Sequence, residues 1–327
     1  MSKKKTDPRQ IDGVLALNKP KGPTSAACLG MIKRKLGQPK IGHAGTLDPM
    51  AEGVLLVLLG QATKISSYLL DFGQKIYGAT LEFGVRSDTW DAEGRILDDP
   101  APEFLQNALQ AALSSGALSE RTLGAEIAAW LGKLTQEVPP YSAAKHQGKP
   151  LYALARKGLD TPVKTKTVEI SRAELEWFRP PLARFRVACS SGTYIRSLAH
   201  SLGVRFGCGA MLKELTREYS HPFSLDQAVN LDDLLADPDL LPQKARGIRY
   251  ALPALPAVAL SAEMAGRLRA GGFIRPEELP PISGDKALFL GPDGRELCLA
   301  EQKTPPGRTA REMAQMVWGV GRGLWNE

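Results

Sequence analysis

A sixteen-residue stretch, 38–53, breaks the pattern of the first third of the chain. It has neither the helical period of 3.6 nor the alternation of a strand. It holds Gly42, Gly45 and Gly53, Pro39 and Pro49, and between them His43 and Asp48. Glycines allow tight, close-packed turns. Asp48 precedes Pro49, which pushes its backbone toward the extended region. The stretch therefore reads as a rigid, structured loop presenting one imidazole and one carboxylate. An Asp-Pro pair alone is a common turn, and a lone His a common surface group, so composition of the loop by itself names no chemistry.

The flanks read more simply. Gly13–Leu17 is strand-like, Asn18–Pro23 is a turn, and Thr24 or Ser25 can cap a helix that ends near Leu36 at Gly37. After the loop come the apolar run Val54–Leu59 and an amphipathic helix near 61–70. Lys75–Phe83 alternates as a strand, 85–99 is a polar loop, and helices are expected near 101–113 and 119–132. Pro139–Ala143 reads as extended and Leu151–Lys157 as a short helix. Strands follow at 166–178 and 183–190, a helix at 193–206 and a strand at 210–220. Prolines 238, 242, 253 and 256 suggest a linker over 236–257. The remainder promises a short helix near 261–270 and two strands, 286–290 and 296–300.

Helices and strands mix without regular βαβ alternation, which predicts an α+β fold: a mixed, mainly antiparallel sheet flanked by helices, then a small β-rich C-terminal unit. The expected divisions are a disordered basic tail at 1–10, a main domain at 11–250 and a small domain at 251–327. No Gly-rich phosphate loop is present, so a dinucleotide or P-loop site has no support. Cys28, Cys189, Cys208 and Cys298 form no CxxC pair and no His cluster joins them, so neither a metal site nor a disulfide framework is expected. The opening residues lack the apolar stretch of a secretory leader, and the longest apolar run is far below the roughly 20 residues of a membrane span. A cytoplasmic chain without a membrane partner is the expectation. With 42 Lys and Arg against 35 Asp and Glu, the net charge is +7, a mild bias toward a polyanion such as RNA.

Several segments together are more specific. Gly42-His43-Ala44-Gly45-Thr46-Leu47-Asp48-Pro49-Met50-Ala51-Glu52-Gly53 resembles the active-site loop of bacterial tRNA pseudouridine synthases of the TruB family. In the same order, Lys19–Ser25, Lys75-Ile76-Tyr77, Ser191–Arg196 and Gly209–Arg217 resemble that family's other motifs. The likeness is strong over about 11–230 and extends weakly into a tail similar to the family's small RNA-binding PUA-type domain.

The resemblance implies isomerisation of uridine to pseudouridine at position 55 in the T loop of tRNA. It implies no cofactor, the tRNA T arm as partner and no obligate protein partner. It assigns Asp48 as the nucleophile and Arg196 as its counter-ion, envisaged as a bidentate pair. Tyr77 would stack on the base and take part in proton transfer. Tyr194 and Leu215 would line the uracil pocket, and His43 would fill the space left by the flipped nucleotide. Lys19, Gly45 and Thr46 fit supporting roles, Lys19 and Lys21 also phosphate contact. Lys145, Lys149, Arg156 and Lys157 could belong to a basic RNA-facing surface. Glu52 replaces the Thr or Ser usual in the family and is expected to point to solvent. Two other readings share these motifs: an RNA-binding protein that helps tRNA fold with little catalysis, and a guide-RNA-dependent synthase.

Overall fold

The structure, a computed structural model, describes residues 11–142, 144–146, 148–155, 163–304 and 316–325. The expected tail at 1–10, Arg156 and Lys157 lie outside the described residues, as do the side chains of Lys145 and Lys149. The first elements are strand β1 (Gly13–Lys19), helix α1 (Ser25–Leu36), strands β2 (Ile41–Ala44) and β3 (Glu52–Leu59), helix α2 (Ser66–Phe72) and strand β4 (Lys75–Phe83). Helices α3 (Pro102–Ser114) and α4 (Glu120–Ala128) precede strand β5 (Gly132–Glu137), the short pair β6 (Lys145–His146) and β7 (Lys149–Pro150), and helix α5 (Leu151–Ala155). Strands β8 (Thr165–Arg179) and β9 (Leu182–Cys189), helix α6 (Ile195–Arg205), and strands β10 (Ala210–Ser220), β11 (Phe223–Ser224) and β12 (Val229–Asn230) complete the main sheet. Helices α7 (Leu231–Ala236), α8 (Leu240–Lys244) and α9 (Ile248–Ala251) lead to strand β13 (Ala257–Ala259), helix α10 (Ala262–Arg269) and strands β14 (Lys286–Leu290), β15 (Glu296–Lys303) and β16 (Val317–Gly323).

The main sheet runs β12-β1-β3-β10-β4-β9-β8-β5, with β2 beside β3 and β11 beside β10. Within this sheet, among the described residues, only β1–β12 and β3–β10 pair in parallel, so the α+β, mainly antiparallel expectation holds. A separate four-stranded sheet runs β13-β14-β15-β16. α1 starts and stops on local signals: the Thr24 side chain accepts from the Ala27 amide, and Gly37 adopts the left-handed conformation.

The apolar run 54–59 has a physical cause in the layering. Leu55, Val57 and Leu59 join Leu15 and Leu17 in a core that also takes Cys28 and Ile32 of α1. Val54, Leu56 and Leu58 join Val14 and Ala16 in a second core on the opposite face. That second core is closed by Leu288, Leu290, Leu299 and Leu324 from the small sheet region, and by Ile248 and Leu252. A strand buried on both faces reads as continuous apolar sequence. Tyr68 also donates to Glu301 Oε1 at 2.6 Å, and Lys64 donates to the carbonyls of Gly323 and Trp325.

Three expectations are corrected. Ile41–Ala44 is a strand, because it pairs with β3 (His43 opposite Val57) and takes its order from that partner rather than from its own pattern. The helix expected at 61–70 divides into a 3-10 segment, Gly60–Ile65, and α2. The stretch 236–257 is no free linker: α8 and α9 bury Leu241 and Ile248, and Arg246 exchanges two 2.8 Å backbone hydrogen bonds with Val14. Pro242 sits in the first turn of α8, where its missing N–H costs nothing. β13 and β16 were absent from the sequence reading because one is three residues long and the other is half glycine-interrupted.

Leu299 is fully buried in the core that both sheets share. Leu299→Ala should lower stability by about 2–5 kcal/mol, read as a fall in the urea midpoint with little change in slope.

Candidate active site

The loop carrying Asp48 is fastened from behind. Lys19, at the end of β1, is fully buried, and its Nζ donates to the carbonyls of Pro20 (2.8 Å), Pro49 (3.2 Å) and Ala51 (2.7 Å). All three donors of the ammonium are thus used. Lys19 thus ties the turn at Pro20 to the loop at Pro49 and Ala51. Ser25 Oγ donates to the Leu47 carbonyl and accepts from the Leu47 amide, both at 3.0 Å. The Gly22 amide donates to the Pro49 carbonyl.

Arg217, on β10, holds the loop from the other side. Its Nε donates to the Val54 carbonyl at 2.6 Å and its Nη2 to the Gly45 carbonyl at 2.8 Å. Gly45 has φ +77°, and a Cβ there would stand 3.2 Å from Lys75 Cε and 3.4 Å from Arg217 Nη1. Both conformation and space thus favour glycine at this turn.

With the loop fixed, the Asp48 carboxylate meets Arg196 in the first turn of α6, with Oδ2 3.0 Å from Nε. The Arg196 side chain is 5% exposed and that of Asp48 37%. The pairing is not bidentate. Arg196 Nη1 donates to the Thr89 carbonyl at 2.8 Å and Nη2 to the Tyr141 carbonyl at 3.1 Å, while Asp91 Oδ2 lies 3.6 Å from Nε. Backbone carbonyls thus take one N–H on each terminal nitrogen, and Asp48 is met at Nε. Asp91 is itself held by Thr89 Oγ1 (2.6 Å) and the Glu93 amide (3.1 Å).

Tyr77 on β4 lies directly across from Arg217 on β10. Burial raises its phenol pKa, an effect that Arg217 partly offsets and Asp48 reinforces. Leu215 and Leu47 share its buried cluster. Tyr194 caps α6, its amide bound to Gln136 Oε1 at 3.0 Å, and its ring is half-buried. His43 projects from β2; burial, then the charge of Arg217, lowers its pKa, and its Nδ1 is buried without a hydrogen-bond partner. Thr46 is exposed, as is Lys21. Glu52 is exposed and accepts from Thr216 Oγ1 at 3.1 Å across the β3–β10 pair. Among the described residues no group of His, Cys, Asp or Glu is placed to hold a metal ion.

The segment 33–195 matches the model of the TruB family pseudouridylate synthase N-terminal domain. A tRNA pseudouridine synthase B of Nitratidesulfovibrio vulgaris strain Miyazaki F is 53% identical, over 98% of this chain and 99% of that protein. The chain belongs to the TruB family. A relative of the same name from Oleidesulfovibrio alaskensis is 52% identical, over 97% of each chain. Among solved structures, a Cbf5–Nop10–Gar1 complex contains a chain that superposes with a TM-score of 0.63 at 23% identity, covering 98% of this chain and 91% of that one. At that identity the likeness speaks to the fold. The loop, the Lys75–Tyr77 strand, the start of α6 and β10 are brought together around Asp48, Arg196 and Arg217.

Sequence reasoning singled out neither Asp91 nor Arg217, Lys75 or Ser25 as site residues. Arg217 and Lys75 had a legible signal. Each lies two residues from a core-facing side chain, Leu215 and Tyr77, and so on the buried face of its strand, where a cation is rare unless paired. Asp91 had none, since it sits among other acids in a polar loop.

Burial, and then repulsion from Arg217, push Lys75 down to about 8 from 10.5. The folded chain therefore holds fewer protons than the unfolded chain between those values, so stability rises with pH across that window. The cost of burying this cation is complete below pH 8 and fades toward pH 10.5. At about 1.36 kcal/mol per pH unit it amounts to roughly 3 kcal/mol. The stability of Lys75→Met relative to wild type should therefore fall by about that amount between pH 7 and pH 10.5, measured by urea unfolding at the two values.

Proposed function

We propose that this chain isomerises uridine to pseudouridine at position 55 in the T loop of tRNA, by flipping the base out and using Asp48 as nucleophile, without a cofactor. The observation that carries the reading is the half-exposed Asp48 carboxylate held 3.0 Å from a buried Arg196 beside the Tyr77 and Leu215 cluster. Relatives named tRNA pseudouridine synthase B, 52–53% identical over nearly the whole chain, support it.

In the proposed reaction the bond from ribose C1′ to N1 breaks and a bond from C1′ to C5 forms. C5 loses its proton and N1 gains one, so the product is an isomer. A carboxylate nucleophile divides this exchange into two easier steps. The Tyr77 phenol, kept protonated by burial, offers a stacking face and a proton-transfer group. Flipping costs a few kcal/mol. Tyr194, Leu215 and the unpartnered Nδ1 of His43 supply contacts that offset it.

The proposed divisions are a catalytic domain at 11–250 and a PUA-like RNA-binding domain at 251–327. The T arm of tRNA is the proposed partner, with no obligate protein subunit, and the cytoplasm the proposed compartment. Among the described residues no helix is long and apolar enough to cross a membrane.

Asp48→Asn should leave the fold and tRNA binding intact, because Arg196 keeps its contacts to Thr89, Tyr141 and Asp91. It should form no pseudouridine when incubated, purified and alone, with an unmodified tRNA transcript that the wild type modifies at position 55. Normal modification by Asp48→Asn would refute the assignment. Activity of the wild type only when a guide RNA or protein partner is added would refute the free-standing enzyme.

A further inference from the structure

Trp90 has φ +65°, and it is the one non-glycine residue with positive φ among the described residues. A bulky side chain in this conformation is strained and persists only where its surroundings over-determine it. Here they do. The indole lies flat on the His200 imidazole, with centroids 4.2 Å apart and an interplanar angle of 1°. The Trp90 carbonyl accepts from the Leu212 amide at 3.0 Å, and the Trp90 amide donates to the Ser87 carbonyl at 3.3 Å. Its neighbours on either side, Thr89 through its carbonyl and Asp91 through its carboxylate, both face the Arg196 guanidinium.

Arg196 and His200 stand four residues apart on α6 and so share one face, a turn apart. One helix face thus grips three consecutive loop residues: Thr89 by a hydrogen bond to its carbonyl, Trp90 by stacking and Asp91 by charge. The left-handed turn at Trp90 is what returns both of its neighbours to the same guanidinium. Burial, with Arg86 adding to it, pushes the His200 imidazolium down to about 4, so two uncharged aromatic faces meet at neutral pH.

We infer that the Trp90–His200 stack is a positioning device for the reaction: it holds Thr89 and Asp91 on Arg196, and so fixes the direction in which Arg196 presents Nε to Asp48. Neither ring is among the contacts of Asp48, so both are positioning residues. The inference rests on the function proposed above.

The test uses the full chain and an unmodified tRNA transcript, with single-turnover pseudouridine formation and tRNA affinity measured side by side. Trp90→Ala and His200→Ala should each slow turnover by about tenfold to a hundredfold, the scale of a small misplacement, with affinity changed by less than about twofold. Trp90→Tyr and His200→Phe, which keep an aromatic face, should recover most of the rate. The double alanine variant should be no slower than the worse single one, since only one stack is lost. Should Trp90→Ala fail to fold, His200→Ala against His200→Phe makes the same comparison. Wild-type rates in the alanine variants, equal losses in the aromatic variants, or a loss confined to tRNA affinity would each overturn the inference. A wild type that makes no pseudouridine would overturn the proposed function and this inference together. An active wild type matched by its alanine variants would overturn this inference alone.

Discussion

The site depends on one buried guanidinium. Taking the charge of Arg196 out of water is costly, and leaving it without partners there would cost several kcal/mol more. The fold meets that cost from four directions: Asp48, Asp91, and the carbonyls of Thr89 and Tyr141. These partners come from segments far apart in sequence, so a single side chain ties the loop at 48, the loop at 89–91 and the strand exit at 141 to helix α6. Three of the four contacts do not involve Asp48. The counter-ion is therefore set in advance, and the carboxylate that faces solvent is the member free to react.

The loop that presents Asp48 is shaped by its backbone polar groups. Its carbonyls would be orphaned by the tight turns at Gly45 and Pro49, and buried cations answer them. Lys19 takes Pro20, Pro49 and Ala51, and Arg217 takes Gly45 and Val54. A loop whose carbonyls are held from both sides has little freedom to move its one carboxylate, which is the preorganisation an electrostatically assisted reaction needs. The two-sided burial of β3, immediately after the loop, gives this assembly a rigid foundation on the core shared by both sheets.

Much of this was legible in the chain. The Thr24 cap, the Gly37 stop and the strands Lys75–Phe83 and Ala210–Ser220 follow from local chemistry and periodicity, and appear at or near the expected residues. The β2 strand did not, because four residues pairing with a buried neighbour carry no pattern of their own. The proline-rich stretch before β13 looked like a linker because prolines at helix starts and in turns read alike. At the site, the quoted motifs led to Asp48 and Arg196, which the structure brings together, yet the expected bidentate pairing failed. The carbonyls of Thr89 and Tyr141 that each bind one terminal nitrogen of the guanidinium are backbone atoms, and no sequence pattern announces them.

The most direct measurement of the central claim is the single-turnover rate of Arg196→Lys on unmodified tRNA. Lysine keeps the charge but cannot span four partners in one plane. The account predicts a fall of about a hundredfold or more, roughly 2.7 kcal/mol of barrier, with tRNA affinity essentially unchanged. A rate within about threefold of wild type would show that Asp48 needs only a nearby positive charge, and would contradict the claim that the fixed guanidinium organises the site.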